Sequence, residues 1–229
     1  DLFDDRPKYQ MDDTEKAKFA EMVQMATDAA TAFREAHPEV KIHLGNGPLP
    51  LREAFYRAGF PSELFDAAGN EAASFGRPPE TQPPDPIANN ASLWMDRQML
   101  DVYGYADKPI SQCYEITYPA TNPGNLSLQT QANYLVRHVL HSMAWGIPKI
   151  RVAGLADVGN SYYYSNWGGS GLFTRQPEIA PKPAALALAT LSRVLADAKY
   201  DGFIETGSES AYLLKFRKKD NSQVLVYWT

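Results

Sequence analysis

The chain has 229 residues, of which 44% are hydrophobic and 21% charged, enough for one large domain or for part of a barrel with a small partner. The net charge is −5 and Lys and Arg form no cluster, so we expect no nucleic-acid partner. No apolar run reaches the roughly 20 residues of a membrane helix, and the single cysteine, Cys113, excludes an internal disulfide and a multi-cysteine metal site.

Helical and strand-like patterns alternate along the first 200 residues. Helices are predicted where apolar residues recur at three- and four-residue steps, and strands where short apolar runs end at Gly, Pro or Asn. In chain order these are a helix over 14–37, a strand over 40–44, a helix over 51–58, a strand over 64–71, a helix over 93–103 capped by Ser92, a strand over 110–117, a helix over 128–145, a strand over 149–155 and a helix over 184–198. This alternation predicts parallel pairing with right-handed crossovers.

The pattern changes after residue 200. The last predicted strands cover 203–205, 212–216 and 224–228. A polar turn over 218–222 joins the last two as a hairpin. We therefore predict two domains: residues 1–200 as four strand–helix units, half of a (β/α)8 TIM barrel, and residues 201–229 as the start of an antiparallel β-sandwich-like domain. The chain begins without Met and stops within a strand-like run, so we expect a longer parent chain.

Three acidic residues, Glu71, Glu115 and Asp157, lie at or just beyond predicted strand ends, where barrel enzymes have their active sites. Glu115 is the best candidate for a catalytic carboxylate, because Glu is a poor strand former and needs a partner, solvent or a function there. The alternative is a strand-end Glu held in an ion pair. Glycoside hydrolysis needs two carboxylates, one of them a nucleophile in retaining enzymes.

The dipeptide Asn70-Glu71 lies at the end of the strand predicted over 64–71. The Asn70 amide could hold a sugar hydroxyl, which makes it a candidate substrate contact. Glu71 could act as an active-site acid or as a substrate contact, and the alternative is an ion pair with Arg77 at the end of the strand.

Further candidates lie in the Gly-rich loop after the strand predicted over 149–155 and in the helix predicted over 128–145. Asp157 either binds sugar or caps the loop, and Trp167 either stacks on a sugar or anchors the loop. His138 and His141 are one helical turn apart, but no third ligand stands at a recognisable spacing, so packing is favoured over metal binding. No Gly-x-Gly-x-x-Gly opens a helix, and we predict neither a metal nor a cofactor.

Several segments resemble, in their order and spacing, the second half of the barrel of clan A glycoside hydrolases. Residues 108–115 (KPISQCYE) look like the seventh-strand segment, in which Lys-Pro leads into an apolar strand that ends with the nucleophilic Glu. Residues 131–137 look like the Gln-Ala-x-Tyr-Leu helix that follows that strand. The other matching segments are residues 65–67 for the sixth strand, Asp157 and 168–173 for the eighth strand and its Gly-Leu loop, and 181–191 for the Lys-Pro-opened last helix.

The resemblance implies a retaining mechanism in which Glu115 attacks the anomeric carbon and a second Glu acts as acid and then base. By family order that second Glu would precede residue 1, which leaves Glu71 at the end of the sixth strand with an open role. Tyr114 and Cys113 border the implied nucleophile, and Tyr114 is a further candidate substrate contact. The eighth strand lacks the Trp that is common at its tip.

Two other interpretations stay open at the level of the sequence. One is a catalytically inactive barrel that binds glycans or serves as a structural surface or assembly protein; the other is an α/β enzyme unrelated to sugars. The predicted partner is a carbohydrate, and we predict no membrane-spanning segment. A half-barrel cannot close its sheet alone, so a second copy or the remainder of the same chain would complete it. Polysaccharide chemistry often takes place outside the cell, which favours an extracellular or periplasmic location.

Overall fold

The computed structural model describes residues 12–44, 49–71, 78–80, 91–114, 118–120, 126–147, 149–152, 154–158 and 168–229, with the backbone alone for residues 49, 50, 71, 91, 92 and 112–114. The elements, in chain order, are α1 (Asp13–Ala36), β1 (His43–Leu44), α2 (Leu49–Arg57), a 3₁₀ turn (Ser62–Leu64), β2 (Ala67–Glu71), α3 (Ala91–Val102), β3 (Ile110–Tyr114), α4 (Leu128–Ala144), α5 (Pro183–Val194), β4 (Lys199–Phe203), β5 (Tyr212–Arg217) and β6 (Gln223–Trp228).

The first three strands form a parallel sheet in the order β1-β2-β3. Ala68 of β2 pairs with Leu44 on one side and with Ile110 on the other. The register shifts by one residue near the end of β2, so that Glu71 pairs with Tyr114. The predicted parallel pairing is therefore confirmed for these three strands, and the carboxyl ends of β2 and β3 lie level with each other.

An aromatic core joins this sheet to the helices that follow β1 and β2. Phe60, Phe65 and Tyr105 are almost fully buried, and Phe65 lies edge-on to Phe60 with ring centroids 6.1 Å apart. Leu93 and Leu100 come from one face of α3, seven residues apart, and both have no exposed surface. Each such side chain contributes roughly 1.5–3 kcal/mol when it is fully buried.

Helix α1 is stabilised at its start by local hydrogen bonds. Asp12 and Glu15 form a reciprocal capping box, in which each side chain accepts a hydrogen bond from the backbone N–H of the other. The helix ends before Pro38, in agreement with the prediction from sequence. Only Ala30 of this helix is buried, so α1 covers the core with a single narrow face.

The second half of the chain packs around α4. Leu135 and Val139 of α4 meet Ala184 of α5 in one cluster. On the other side, Leu140 packs against Leu214 and Phe216 of the antiparallel sheet β4-β5-β6. The hairpin predicted for β5 and β6 is present, with Asn221 in the left-handed region at φ 65° in its turn.

Two predictions for the segment around residues 195–205 differ from the structure. Helix α5 ends at Val194, not at residue 198: Leu195 is its C-cap, and Asp197 in the turn that follows is left-handed at φ 60°. The next strand is β4 (Lys199–Phe203), so the strand predicted over 203–205 is present but begins four residues earlier and shares only Phe203 with the prediction.

The strand predicted over 149–155 is not found within the described residues 149–152 and 154–158. The described residues there carry isolated bridges, at Ile150 and from Ala156 to Phe173, and Gly154 between them has φ +76°. Ile150 and Val152 still pack against the core clusters, so the apolar residues were located correctly.

Smaller differences concern helix and strand starts. Ser92 lies inside α3, which begins at Ala91, so the prediction of Ser92 as its N-cap is wrong. The strand predicted over 64–71 is a 3₁₀ turn followed by the shorter β2.

The architecture of the described residues is α/β, with a three-stranded parallel sheet and a separate antiparallel sheet. Among the described helices, none combines the length and the apolar character needed to cross a membrane.

Candidate functional site

Three of the predicted site residues, Asn70, Glu71 and Tyr114, lie at the carboxyl ends of β2 and β3. The backbone pairing of Glu71 with Tyr114 sets these two strand ends side by side. Neighbouring strands lie about 4.8 Å apart, so side chains from such positions can converge on one small ligand. Glu115 and Trp167 lie outside the described residues, and Glu71 and Tyr114 are described by their backbones alone.

Asn70 of β2, predicted as a sugar contact, is fully buried in an internal polar cluster. Its Nδ2 donates to Oδ2 of Asp96 on α3. The other oxygen of Asp96 accepts two hydrogen bonds from the Arg52 guanidinium of α2, at 3.0 Å from Nε and 2.8 Å from Nη2. The cluster therefore ties the end of β2 to both helices, and a sugar contact from Asn70 stays a prediction.

The ion pair in this cluster has almost no access to water. The side chains of Arg52 and Asp96 are 2% and 1% exposed. Burial raises the pKa of the Asp96 carboxyl above its ordinary value, although the Arg52 charge and the bonds from Asn70 and Arg52 oppose this rise. Removing one partner would leave a lone buried charge, which typically costs about 3–5 kcal/mol.

Asp157, predicted to bind sugar or to cap its loop, is also buried, with no exposed side-chain surface. Its Oδ1 accepts hydrogen bonds from the Lys182 ammonium at 2.7 Å and from the backbone N–H of Gly171 at 2.9 Å. These two contacts are the ones expected of a loop-holding residue. A direct contact between Asp157 and a sugar stays a prediction.

Residues 168–171, which we call the glycine turn, lie against the segment 118–120 that follows β3. The backbone N–H of Ala120 donates to the Gly169 carbonyl at 3.1 Å. The amide nitrogen of Gln131 on α4 donates to the carbonyls of Tyr118 at 2.7 Å and Gly169 at 3.3 Å. The strand that carries Tyr114 is thus fixed a few residues beyond its end.

The two histidines of α4 have partners within the protein. His138 Nδ1 lies 3.1 Å from the Tyr118 hydroxyl, and burial, together with the nearby His141, lowers the pKa of His138 to about 3. His141 lies edge-on to Trp228 and 3.6 Å from a carboxylate oxygen of Glu80. Within the described part of the chain, no three His, Cys, Asp or Glu side chains come together as metal ligands.

Sequence reasoning missed the residues that support the strand ends: Arg52, Asp96, Gln131 and Lys182. One signal was present, because Asp96 stands between Leu93 and Leu100 on the apolar face of α3. A charged residue on a buried helix face needs a partner of opposite charge. The sequence does not say which partner, since Arg52 is 44 residues away along the chain.

Sequence comparisons give no match to a family model or to a curated protein. Solved structures do match. A family 39 glycoside hydrolase from the gut symbiont Bacteroides cellulosilyticus WH2 superposes with a TM-score of 0.61 at 18% identity, over 97% of this chain and 54% of that one. A glucosidase from Croceicoccus marinus superposes with a TM-score of 0.56 at 16% identity, over 88% of this chain and 42% of that one.

The chain shares its fold with part of these two enzymes. It spans about half the length of the solved structures it matches, 54% and 42%. At 18% and 16% identity the likeness concerns the fold and carries no residue roles.

Proposed function

We propose that this chain is the second half of a (β/α)8-barrel glycosidase and that it continues into a β-domain that begins near residue 201. The observation that carries this proposal is the fold shared with a family 39 glycoside hydrolase over 97% of the chain. Three parallel strands with helices between them, followed by a separate antiparallel sheet, agree with this arrangement. In such a barrel the carboxyl ends of the strands form the active-site rim.

In this proposal Glu115 is the nucleophile of a retaining mechanism. It is the residue directly after β3, whose end lies level with the end of β2. The Glu115 carboxylate would attack the anomeric carbon and expel the leaving group, and water would then release the sugar.

Glu71 is the proposed second acidic group of the site, as an acid or as a substrate contact. Its backbone pairs with Tyr114, the neighbour of Glu115. Retaining enzymes hold their two carboxyl groups about 5–5.5 Å apart, a distance that adjacent strand ends can provide. The acid/base residue implied by family order, before residue 1, is the alternative to Glu71 in that role.

The remaining predicted contacts divide into two groups. Tyr114 and Trp167 are proposed to face the sugar, with an aromatic ring against its C–H surface. Asn70 and Asp157 have no exposed side-chain surface and have partners within the protein. We therefore propose that they support the rim and do not touch the substrate directly.

The test uses the natural full-length protein and fluoroglucosides of both anomeric configurations that carry a dinitrophenyl leaving group. We expect one glycosyl adduct per molecule, found by peptide mass spectrometry on Glu115. Glu115→Gln should abolish the adduct and lower kcat at least about 10³-fold, while Glu209→Gln, an exposed control, should change neither. An adduct on another residue would overturn the assignment of Glu115. Glycan binding with neither adduct nor turnover would support an inactive, glycan-binding barrel instead.

A further inference from the structure

We propose that Lys182 and Asp157 form a buried positioning pair that locks the glycine turn to the segment 118–120 after β3. The consequence for catalysis rests on the proposed function, but the coupling itself concerns only described residues. Both residues act through other groups, so they are positioning residues and not catalytic ones.

Lys182 uses all three of its ammonium protons inside the protein. Its side chain is 2% exposed, and Nζ donates to Asp157 Oδ1 at 2.7 Å, to the Gly169 carbonyl at 2.9 Å and to the Gly171 carbonyl at 3.0 Å. A buried ammonium costs several kcal/mol unless it is paired and hydrogen-bonded. Burial of the Lys182 ammonium is therefore favourable only while the Asp157 carboxylate and the glycine turn stay in contact with it.

Asp157 fixes the same turn from the other side. Its Oδ1 accepts from the Gly171 N–H at 2.9 Å, while its own N–H donates to the Phe173 carbonyl at 2.9 Å. A Cβ at Gly171 would lie 2.4 Å from the backbone of both Ala156 and Asp157. The two backbone segments therefore touch with no side chain between them, and only glycine fits at this crossing.

Gly169 transmits the constraint to the segment after β3. Its carbonyl oxygen accepts from three donors: Lys182 Nζ at 2.9 Å, the Ala120 N–H at 3.1 Å and Gln131 Nε2 at 3.3 Å. Gln131 Nε2 also donates to the Tyr118 carbonyl at 2.7 Å. A displacement of the glycine turn would therefore pull on Ala120 and Tyr118.

The consequence for the proposed enzyme is precise placement of Glu115, which is three residues before Tyr118. Misplacing a reacting group by about 1 Å can lower the rate on the order of 10²-fold. Such a change would lower kcat more than it alters KM, because substrate binding uses other contacts.

The coupling is tested by hydrogen exchange in the full-length protein. In Lys182→Met we expect the amides of Ala120 and Gly171 to exchange at least about tenfold faster, with no change in β5 and β6. Lys219→Met is the matched control, because Lys219 pairs with Asp197 at 3.0 Å on the surface. It should leave both amides unchanged. Unaltered exchange at Ala120 in Lys182→Met would overturn the proposal.

A second variant covers the case in which Lys182→Met does not fold because it leaves the Asp157 charge buried alone. The double variant Lys182→Met with Asp157→Asn removes both charges, and it should fold and still show faster exchange at Ala120. Wild-type exchange at that amide in the folded double variant would overturn the proposal as well.

The catalytic consequence has its own readout. Trapping of Glu115 by the dinitrophenyl fluoroglucoside should be about 10²-fold slower in the folded double variant than in the wild type. If the wild type is never labelled, the proposed function fails, while the exchange experiment still decides the coupling. If the wild type is labelled and the double variant is labelled at the same rate, the positioning role is refuted although the proposed function stands.

Discussion

For individual side chains near the strand ends, the sequence indicated the position but not the partner in the folded protein. The sequence located Asn70 at the end of one predicted strand and Asp157 just beyond another. The structure buries both and supplies Asp96 and Lys182 as partners. Polar residues near a predicted site are thus candidates for support as much as for substrate binding, because buried polar groups require hydrogen bonds.

Asp66 is a residue whose charge should make stability depend on pH. Its carboxylate accepts from the Ile42 N–H at 2.9 Å, and it pairs with Arg34 and Lys41. Burial by itself would raise the pKa, but these bonds outweigh it and lower the pKa of Asp66 from 3.8 to about 2. A carboxyl with a lowered pKa stabilises the fold fully above its unfolded pKa, and this stabilisation is lost as pH falls through the folded value.

We therefore expect Asp66→Asn to lower the free energy of unfolding by roughly 1–2 kcal/mol at pH 6, allowing for partial exposure of the pair. The difference from wild type should shrink between about pH 4 and pH 2. Urea unfolding at several pH values measures this difference, and Glu21→Gln, which changes an exposed residue, is the control. A difference that stays constant down to pH 2 would contradict the assigned cause.

At the scale of elements, periodicity was a reliable guide to helices. The helices predicted over 14–37 and 128–145 agree with α1 and α4 to within one residue at each end. Strands were less well located where glycine or a left-handed residue intervened. Gly154 has a positive φ within the strand predicted over 149–155, and the left-handed Asp197 lies in the turn that follows the early end of α5. Both depend on backbone conformations that the apolar pattern does not encode.

The antiparallel sheet depends on one buried aromatic side chain of β5. Phe216 has no exposed surface and packs on Leu140, Leu195 and Leu214. Phe216→Ala should lower the free energy of unfolding by about 3–5 kcal/mol, because it removes a buried ring and leaves a cavity. Leu225→Ala on β6 is the control, since Leu225 is 57% exposed, and it should cost less than about 1 kcal/mol. Denaturant unfolding measures both, and equal losses would refute the packing argument.

At the scale of the whole molecule, one side chain joins three parts of the chain. Glu80 accepts from Arg137 of α4 at 2.7 Å and from the indole N–H of Trp228 at 3.0 Å, and its side chain is only 10% exposed. Trp228 in turn stacks on Tyr212 with ring centroids 5.2 Å apart. The segment 78–80 therefore fastens the antiparallel sheet to α4.

Glu80→Gln should weaken this connection without changing the size of the side chain. We expect a loss of about 2–4 kcal/mol in the free energy of unfolding, because the Arg137 charge loses its partner. The near-ultraviolet circular dichroism of Trp228 should change in parallel, as its indole loses a charged acceptor. Glu209→Gln, on the surface, serves as the control. Wild-type stability in Glu80→Gln would show that the pair contributes nothing.

The sequence by itself determined the alternation of helices and strands, the parallel pairing of three strands and the final hairpin. These features follow from the order of the elements, and each element can be recognised from the spacing of apolar residues within its own short segment. Only the tertiary structure decided which polar groups meet. Asn70 and Asp96 are 26 residues apart, and Glu80 and Trp228 are 148 apart. Such contacts depend on how distant elements pack, and local periodicity carries no information about that.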